Sequence, residues 1–263
     1  MRRFSEEYLS ATRTEMWADR DALSGLALAN RERVLDVGAG TGEFTRVLRE
    51  EVSGDDTQVI AVDADQDLLG AVSPPRLLGD ATRLPVGGDT VDLAVCQALL
   101  VNLGDPARAL GELARVSTDR VAAVEPDNSA VTVESTVGDE TALARRAREL
   151  YIGGSAVDPA LGSARELFER AGLAGVTVRR HDHVRTVGPP YSEQALESAR
   201  RKASGAGIET DRETLLAAGL APDAFDRLRG EWRAMGRQVI EQMVGGEYRR
   251  RETVPFYVTV GRV

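Results

Sequence analysis

Val34-Leu35-Asp36-Val37-Gly38-Ala39-Gly40-Thr41-Gly42-Glu43-Phe44 decides the fold of this 263-residue chain. Three apolar residues around one carboxylate spell a buried strand, and three glycines at alternate positions follow directly. Helical spacing resumes at Phe44, Val47 and Leu48, so the glycines occupy a strand-to-helix turn. Glycine serves there because the backbone bends sharply and must admit a ligand without Cβ atoms in the way. The amides that open the following helix favour an anionic ligand group. The turn points to a nucleotide-like ligand.

Spacing narrows the choice. A dinucleotide fingerprint, G-x-G-x-x-G, counted from Gly38 would end on Glu43. A glutamate there aims a carboxylate at a pyrophosphate and blocks close helix–strand packing, which argues against a nicotinamide oxidoreductase. A P-loop is excluded because no Gly-Lys-Ser/Thr follows, and Lys202 is the only lysine of the chain. Val59-Ile60-Ala61-Val62-Asp63 reads as a second buried strand ending in an acid. It lies about 20 residues past the glycines, where a doubly wound fold places a carboxylate for ribose hydroxyls. Gly79-Asp80-Ala81-Thr82-Arg83-Leu84-Pro85 then reads as a loop after strand three, and Val91 to Gln97 as strand four. Asp105-Pro106 opens a helix with an N-cap and a first-turn proline, and Arg120 to Pro126 reads as strand five.

In this order and spacing, the segments resemble class I S-adenosylmethionine (SAM)-dependent methyltransferases from about Arg33 to Val178, with a final strand near Val254 to Val260. The resemblance implies an α/β fold: a doubly wound, mostly parallel seven-stranded sheet with an antiparallel last strand, plus a small helical cap. It implies S-adenosyl-L-methionine as cofactor and S-adenosylhomocysteine as product. Asp36 would orient the methionine amino group, and Gly38, Ala39, Gly40 and Gly42 would form the cradle. Asp63 and Ala64 would meet the ribose, Asp80 and Ala81 the adenine edge, and Gln97 the sulfonium end. Where the family often has histidines after strand four, this chain has Val101 and Asn102, so no proton-transfer role is inherited there. No catalytic residue is named; Glu125, Tyr151 and Tyr191 are candidates for the acceptor side.

Four pieces follow along the chain. Residues 1–30 carry Tyr8, Leu9, Met16, Trp17 and Leu23, consistent with helices preceding the first strand; the resemblance implies that such a segment folds over the cofactor site, and for Trp17 plain structural packing is the equal alternative. Residues 31–187 form the expected Rossmann-like core, with a helix through Leu143, Ala147 and Leu150, another through Leu167 and Phe168, and strand six from Val176 to Val187. Residues 188–252 form a helical insertion. Within it, Thr210 and Glu213 carry a capping-box signature, and Pro222 opens a helix with Phe225, Leu228, Trp232, Met235 and Val239 on one stripe. The insertion either caps the active site or forms a dimer interface, and the cap is the favoured reading. Residues 253–263 return to the core as its last strand.

Composition bounds the function. The net charge is -9, with 33 basic against 42 acidic residues, so bulk nucleic-acid binding is disfavoured. No secretory signal or membrane-spanning run is expected, and the single cysteine excludes an internal disulfide and a cysteine-based zinc site. A cytoplasmic location is expected. The near-absence of lysine beside excess acid resembles proteins of salt-loving archaea, although a GC-rich genome alone also favours arginine. His181 and His183 share a strand face like a metal pair, but no third ligand is evident and no metal is expected. Gly188-Pro189-Pro190-Tyr191 is similar to an amino-methyltransferase motif, yet it follows strand six and Gly188 has no side chain to accept a proton; it is a turn. The expected activity is methyl transfer to a small molecule by in-line displacement. The alternatives are a non-catalytic SAM or S-adenosylhomocysteine binder and a methyltransferase acting on a macromolecule.

Overall fold

A computed structural model describes residues 16–54 and 56–263. In chain order, β1 (Arg33–Val37), α1 (Glu43–Glu51), β2 (Gln58–Asp63), α2 (Gln66–Gly70) and β3 (Arg76–Leu78) come first. They are followed by β4 (Val91–Gln97), α3 (Pro106–Val116), β5 (Ser117–Pro126) and β6 (Thr132–Ser135). Next come α4 (Glu140–Gly154), α5 (Arg165–Arg170) and β7 (Ala174–Val187). The chain continues through α6 (Glu193–Ser204), α7 (Ala206–Thr210), α8 (Arg212–Ala217), α9 (Pro222–Val244) and β8 (Arg250–Arg262). The contacts divide the described residues into two compact units, one reaching to residue 127 and including 161–181 and 256–263, and one of residues 128–160 and 182–255. No helix among the described residues is long and apolar enough to cross a membrane.

In the first unit the sheet is parallel from β3 through β2, β1 and β4 to β5, and β8 then pairs antiparallel with β5. The order reverses direction between β1 and β4, the switch point at which doubly wound sheets bind ligands beyond the strand C-termini. Burial on both faces explains why β1 and β4 read as apolar runs: Val34, Leu35, Val37, Leu93, Ala94 and Val95 are all buried. α3 starts as its sequence dictates, with Asp105 accepting from Arg108 N at 3.0 Å and Pro106 in the first turn. Its Ala109, Leu110, Leu113 and Val116 then fall on one buried face against the sheet.

The second unit is built around helices. α9 buries Phe225, Leu228, Met235 and Val239, with Trp232 packed at the edge of the same cluster. Two glycines set its helix crossings. A Cβ on Gly236 would fall on the backbone of Lys202 and Ala203 in α6, and one on Gly154 would fall on the Thr214 carbonyl in α8. These helices approach backbone to backbone, which only glycine permits.

Several sequence expectations need correcting. Among the described residues the sheet has eight strands rather than seven, because β6 pairs antiparallel with the start of β8, matching Ser135 to Arg250 and Val133 to Glu252. β6 is only 4 residues long and all but Val133 are polar, so it gave no apolar run to read. The last strand begins at Arg250 rather than Val254, extended by that pairing. Residues 128–160, expected within the core, group with the insertion, and the same unit begins on β7 at Asp182. The capping box does not form: Asp211 occupies the N-cap of α8, while the Thr210 hydroxyl donates to Ala206 O at 3.0 Å. Tyr8 and Leu9 of the expected N-terminal helices lie outside the described residues, while residues 21–30 form short 3-10 turns.

The glycine crossings give a paired prediction. Gly236→Ala should destabilise the chain by roughly 1–3 kcal/mol through overpacking. Gly230→Ala, on the same helix with nothing within 4 Å of its Cβ position, should stabilise by up to about 1 kcal/mol through helix propensity. Urea unfolding followed by circular dichroism separates the two, and equal effects would contradict the backbone-to-backbone crossing.

Candidate functional site

The glycine turn after β1 is shaped by left-handed backbone. Gly38, Gly40 and Gly42 have φ of 77°, 56° and 84°, a region that L side chains rarely occupy. A Cβ on Gly38 would come within 2.9 Å of Leu99, and one on Gly42 within 3.0 Å of Val72. The turn is tied to the neighbouring strand, with Gly38 N and Ala39 N both donating to Val62 O, at 2.7 and 3.0 Å. At the N-terminus of α1, Thr41 Oγ1 donates to the two carboxylate oxygens of Glu43, at 2.8 and 2.7 Å. The first turn of that helix therefore already holds its own anion, where the dipole favours one.

Asp63, at the C-terminal end of β2, locks the turn. Its Oδ2 accepts from Gly40 N at 2.7 Å and its Oδ1 from Asp65 N at 2.8 Å. Each carboxylate oxygen keeps a further lone pair for a ligand hydroxyl. Ala64 beside it is exposed. Asp36 is buried at the end of β1, and Thr45 Oγ1 of α1 donates to its Oδ2 at 2.6 Å. Thr45 escaped sequence reading because a hydroxyl on the buried face of an amphipathic helix carries no signal of its partner. Asp80 is exposed and accepts from both Thr82 N and Thr82 Oγ1 at 2.8 Å; these bonds hold its carboxyl below the usual range. Ala81 is buried beside it. A Cβ on Gly79 would come within 2.5 Å of Pro85, so this loop too is fitted closely.

Gln97, at the C-terminal end of β4, is buried and already engaged. Its Oε1 accepts from Trp17 Nε1 at 3.1 Å, and its Nε2 lies 3.3 Å from Met16 Sδ. Trp17 in turn stacks on His181 at 4.8 Å between ring centroids and meets Phe44 at 5.5 Å. His181 Nε2 is 2.7 Å from Met16 O. The residues preceding the first strand thus bind to the end of β4 and the start of α1. The sequence left Trp17 open between covering the cofactor and plain packing, and supplied none of these partners.

Glu125 is not free to face an acceptor. It is fully buried and accepts from Leu99 N, Leu100 N and Val101 N at 3.1, 2.9 and 3.3 Å, fastening the loop after β4. Tyr151 and Tyr191 lie in the second unit, where Tyr191 donates to Tyr248 O at 3.2 Å and Tyr151 packs against the helical core. His183 is buried, and no group of acids, histidines or cysteines able to hold a metal occurs among the described residues. The sequence candidates Asp36, Gly38, Ala39, Gly40, Gly42, Asp63 and Gln97 thus gather at the ends of β1, β2 and β4, with Asp80 and Ala81 following β3.

Burial pushes the Glu125 carboxyl up to about 7, against the partial relief of its three amide donors. A carboxyl raised on folding binds more protons in the native state, so its contribution to stability is full below pH 4.5 and is lost as pH rises to about 7. Glu125→Gln stays neutral throughout. The melting-temperature advantage of the native chain over this variant should shrink across that window and stay level above it. A difference independent of pH in thermal melts would contradict the assignment.

Known proteins align with this geometry. Residues 35–121 match the methyltransferase domain family. An uncharacterized methyltransferase of Mycobacterium bovis is 42% identical over 101 residues, covering 36% of this chain and 40% of that protein. A demethylmenaquinone methyltransferase of Mycobacterium bovis is 33% identical over 112 residues, covering 41% of this chain and 46% of that protein. The chain therefore spans less than half the length of these curated relatives. A putative methyltransferase of Bacillus halodurans superposes with a TM-score of 0.50 at 15% identity, over 92% of this chain and 98% of that one. The YcgJ protein of Bacillus subtilis superposes with a TM-score of 0.50 at 17% identity, over 91% and 96%. These two likenesses concern the fold alone. The segment from Leu35 to Val121 matches the methyltransferase domain family, and the sheet around it has the doubly wound, Rossmann-like order.

Proposed function

We propose that the chain transfers the sulfonium methyl group of S-adenosylmethionine to a small-molecule acceptor. The observation that carries this reading is Glu43 held by Thr41 at the N-terminus of α1. A dinucleotide would need that helix end for its pyrophosphate. A resident carboxylate repels phosphate and suits an adenosyl ligand without one. When bound, the cofactor supplies a methyl group already activated for displacement by its positively charged sulfur.

The chain's own part is to position and to exclude water. The glycine turn gives backbone approach, Asp63 keeps lone pairs for the ribose hydroxyls, and Asp80 with Ala81 borders the adenine edge. Asp36, buried and steadied by Thr45, supplies negative charge near the methionine amino group. Gln97 with Met16 and Trp17 closes the sulfur end, where dryness and alignment lower the barrier to in-line attack. No group among the described residues stands out as a base, so an acceptor that ionises readily or attacks as a neutral nucleophile fits best. One matched relative is a demethylmenaquinone methyltransferase, which supports a small acceptor. The negative net charge supports the same reading over a nucleic acid, and a cytoplasmic location goes with it.

Calorimetric titration of the full chain with SAM, S-adenosylhomocysteine and NAD tests the cofactor. Micromolar binding of the two sulfur compounds with no response to NAD is expected. Asp63→Asn should weaken SAM about tenfold through loss of a charge-assisted hydrogen bond. NAD binding alone, or no binding by the native chain, would overturn the proposal; turnover on a metabolite panel then separates an enzyme from a mere binder.

A further inference from the structure

The only lysine of an otherwise all-arginine chain is not on its surface. Lys202 is mostly buried in the second unit, paired through its Nζ with Glu140 Oε1 and 3.4 Å from Tyr248 Oη. Glu140 also takes the Tyr248 hydroxyl at 2.9 Å, the Ser135 hydroxyl at 2.6 Å and an ion pair with Arg250 Nε at 3.2 Å. Arg250 reaches onward, its Nη2 donating to Glu252 Oε1 at 3.0 Å. Glu252 is further paired with Arg185 and, at 3.9 Å, with Arg148. The antiparallel pairing of β6 with β8 builds this cluster, because Arg250 and Glu252 alternate onto one face beside Ser135 and Val133.

The charges do not balance. Four cations (Arg148, Arg185, Lys202 and Arg250) share two carboxylates (Glu140 and Glu252), a surplus of two positive charges. Glu149, exposed on the neighbouring turn of α4 and shared with Arg145 at 3.6 Å, favours the charged form of Arg148 from solvent but leaves the buried cluster positive. Buried His183, two residues before Arg185 on β7, adds no negative charge. Three guanidiniums at one carboxylate also offer more N–H donors than Glu252 has lone pairs. Arg148 spends one on Val131 O, whereas Arg185 Nε is buried and meets no hydrogen-bond acceptor. Surplus charge in a half-buried place is costly unless an anion offsets it. The accessible edge is at Arg185, whose side chain is 33% exposed against 17% for Lys202.

We propose that the Arg148–Arg185–Arg250 cluster of the second unit binds the oxyanion of a small metabolite, a carboxylate or a phosphate. Planar guanidiniums suit either group because they donate in parallel pairs. The site stands independently of the methyl-transfer reading. Isothermal titration of the full chain, at fixed ionic strength in chloride and well below its melting temperature, tests it. Inorganic phosphate and succinate serve as probes, and the tighter one identifies the source of the oxyanion. Saturable binding of at least one is expected, weakened about tenfold in both Arg185→Gln and Arg148→Gln. Glu252→Gln raises the surplus and should bind several-fold more tightly, a gain that a purely structural network would not give. No saturable heat with either probe, or unchanged affinity in both arginine variants, would overturn the site.

Discussion

Asp63 joins two loops that the strand pairing of β1 with β2 and the bonds of Gly38 N and Ala39 N to Val62 O bring side by side. Its carboxylate takes one amide from the glycine turn after β1 and one from the loop that opens α2. A turn with three left-handed glycines is entropically expensive to hold, since glycine has the most freedom to lose. Charge-assisted bonds to its amide offset part of that cost and fix the shape before any ligand arrives. Preorganisation of this kind saves a ligand the cost of ordering the loop. The same acid that is expected to hold a ribose thus also builds the cradle around it.

A similar economy governs the ends of the neighbouring strands. Asp36 and Glu125 are both buried carboxylates at strand C-termini, but their surroundings give them different work. Asp36 faces α1 and receives a hydroxyl from Thr45. Glu125 receives three consecutive amides at the start of the 3-10 turn Leu100–Asn102 in the loop after β4, donors that the turn itself leaves without partners. That loop carries Leu99, which presses on Gly38. Glu125 therefore acts on the cradle at one remove, through the position of Leu99 rather than by touching a substrate.

How much of this was legible in the sequence follows from the range of each interaction. The strands β1, β2, β4 and β5 were readable because burial on both faces leaves continuous apolar runs. The start of α3 was readable because its cap is made by Asp105, three residues from its partner. β6 was not, since its pairing with β8 joins residues more than a hundred positions apart and it carries little apolar patterning. The capping box at Thr210 failed because the helix breaks there and restarts one residue later on Asp211. Within the site, the turn and its acids were visible by spacing, whereas the contacts of Gln97 with Met16 and Trp17 depend on chain reversal and left no local trace.

Lys202 shows how composition and structure inform each other. Where arginine replaces lysine throughout the surface, a surviving lysine marks a place where the guanidinium does not fit. Glu140 is almost completely enclosed, and its two oxygens already receive a tyrosine hydroxyl, a serine hydroxyl and Arg250. Lys202 adds to these one compact ammonium on a flexible stem. The compositional bias that hides most single residues therefore singles this one out. It leads directly to the charged cluster in which the second unit departs most from an ordinary apolar core.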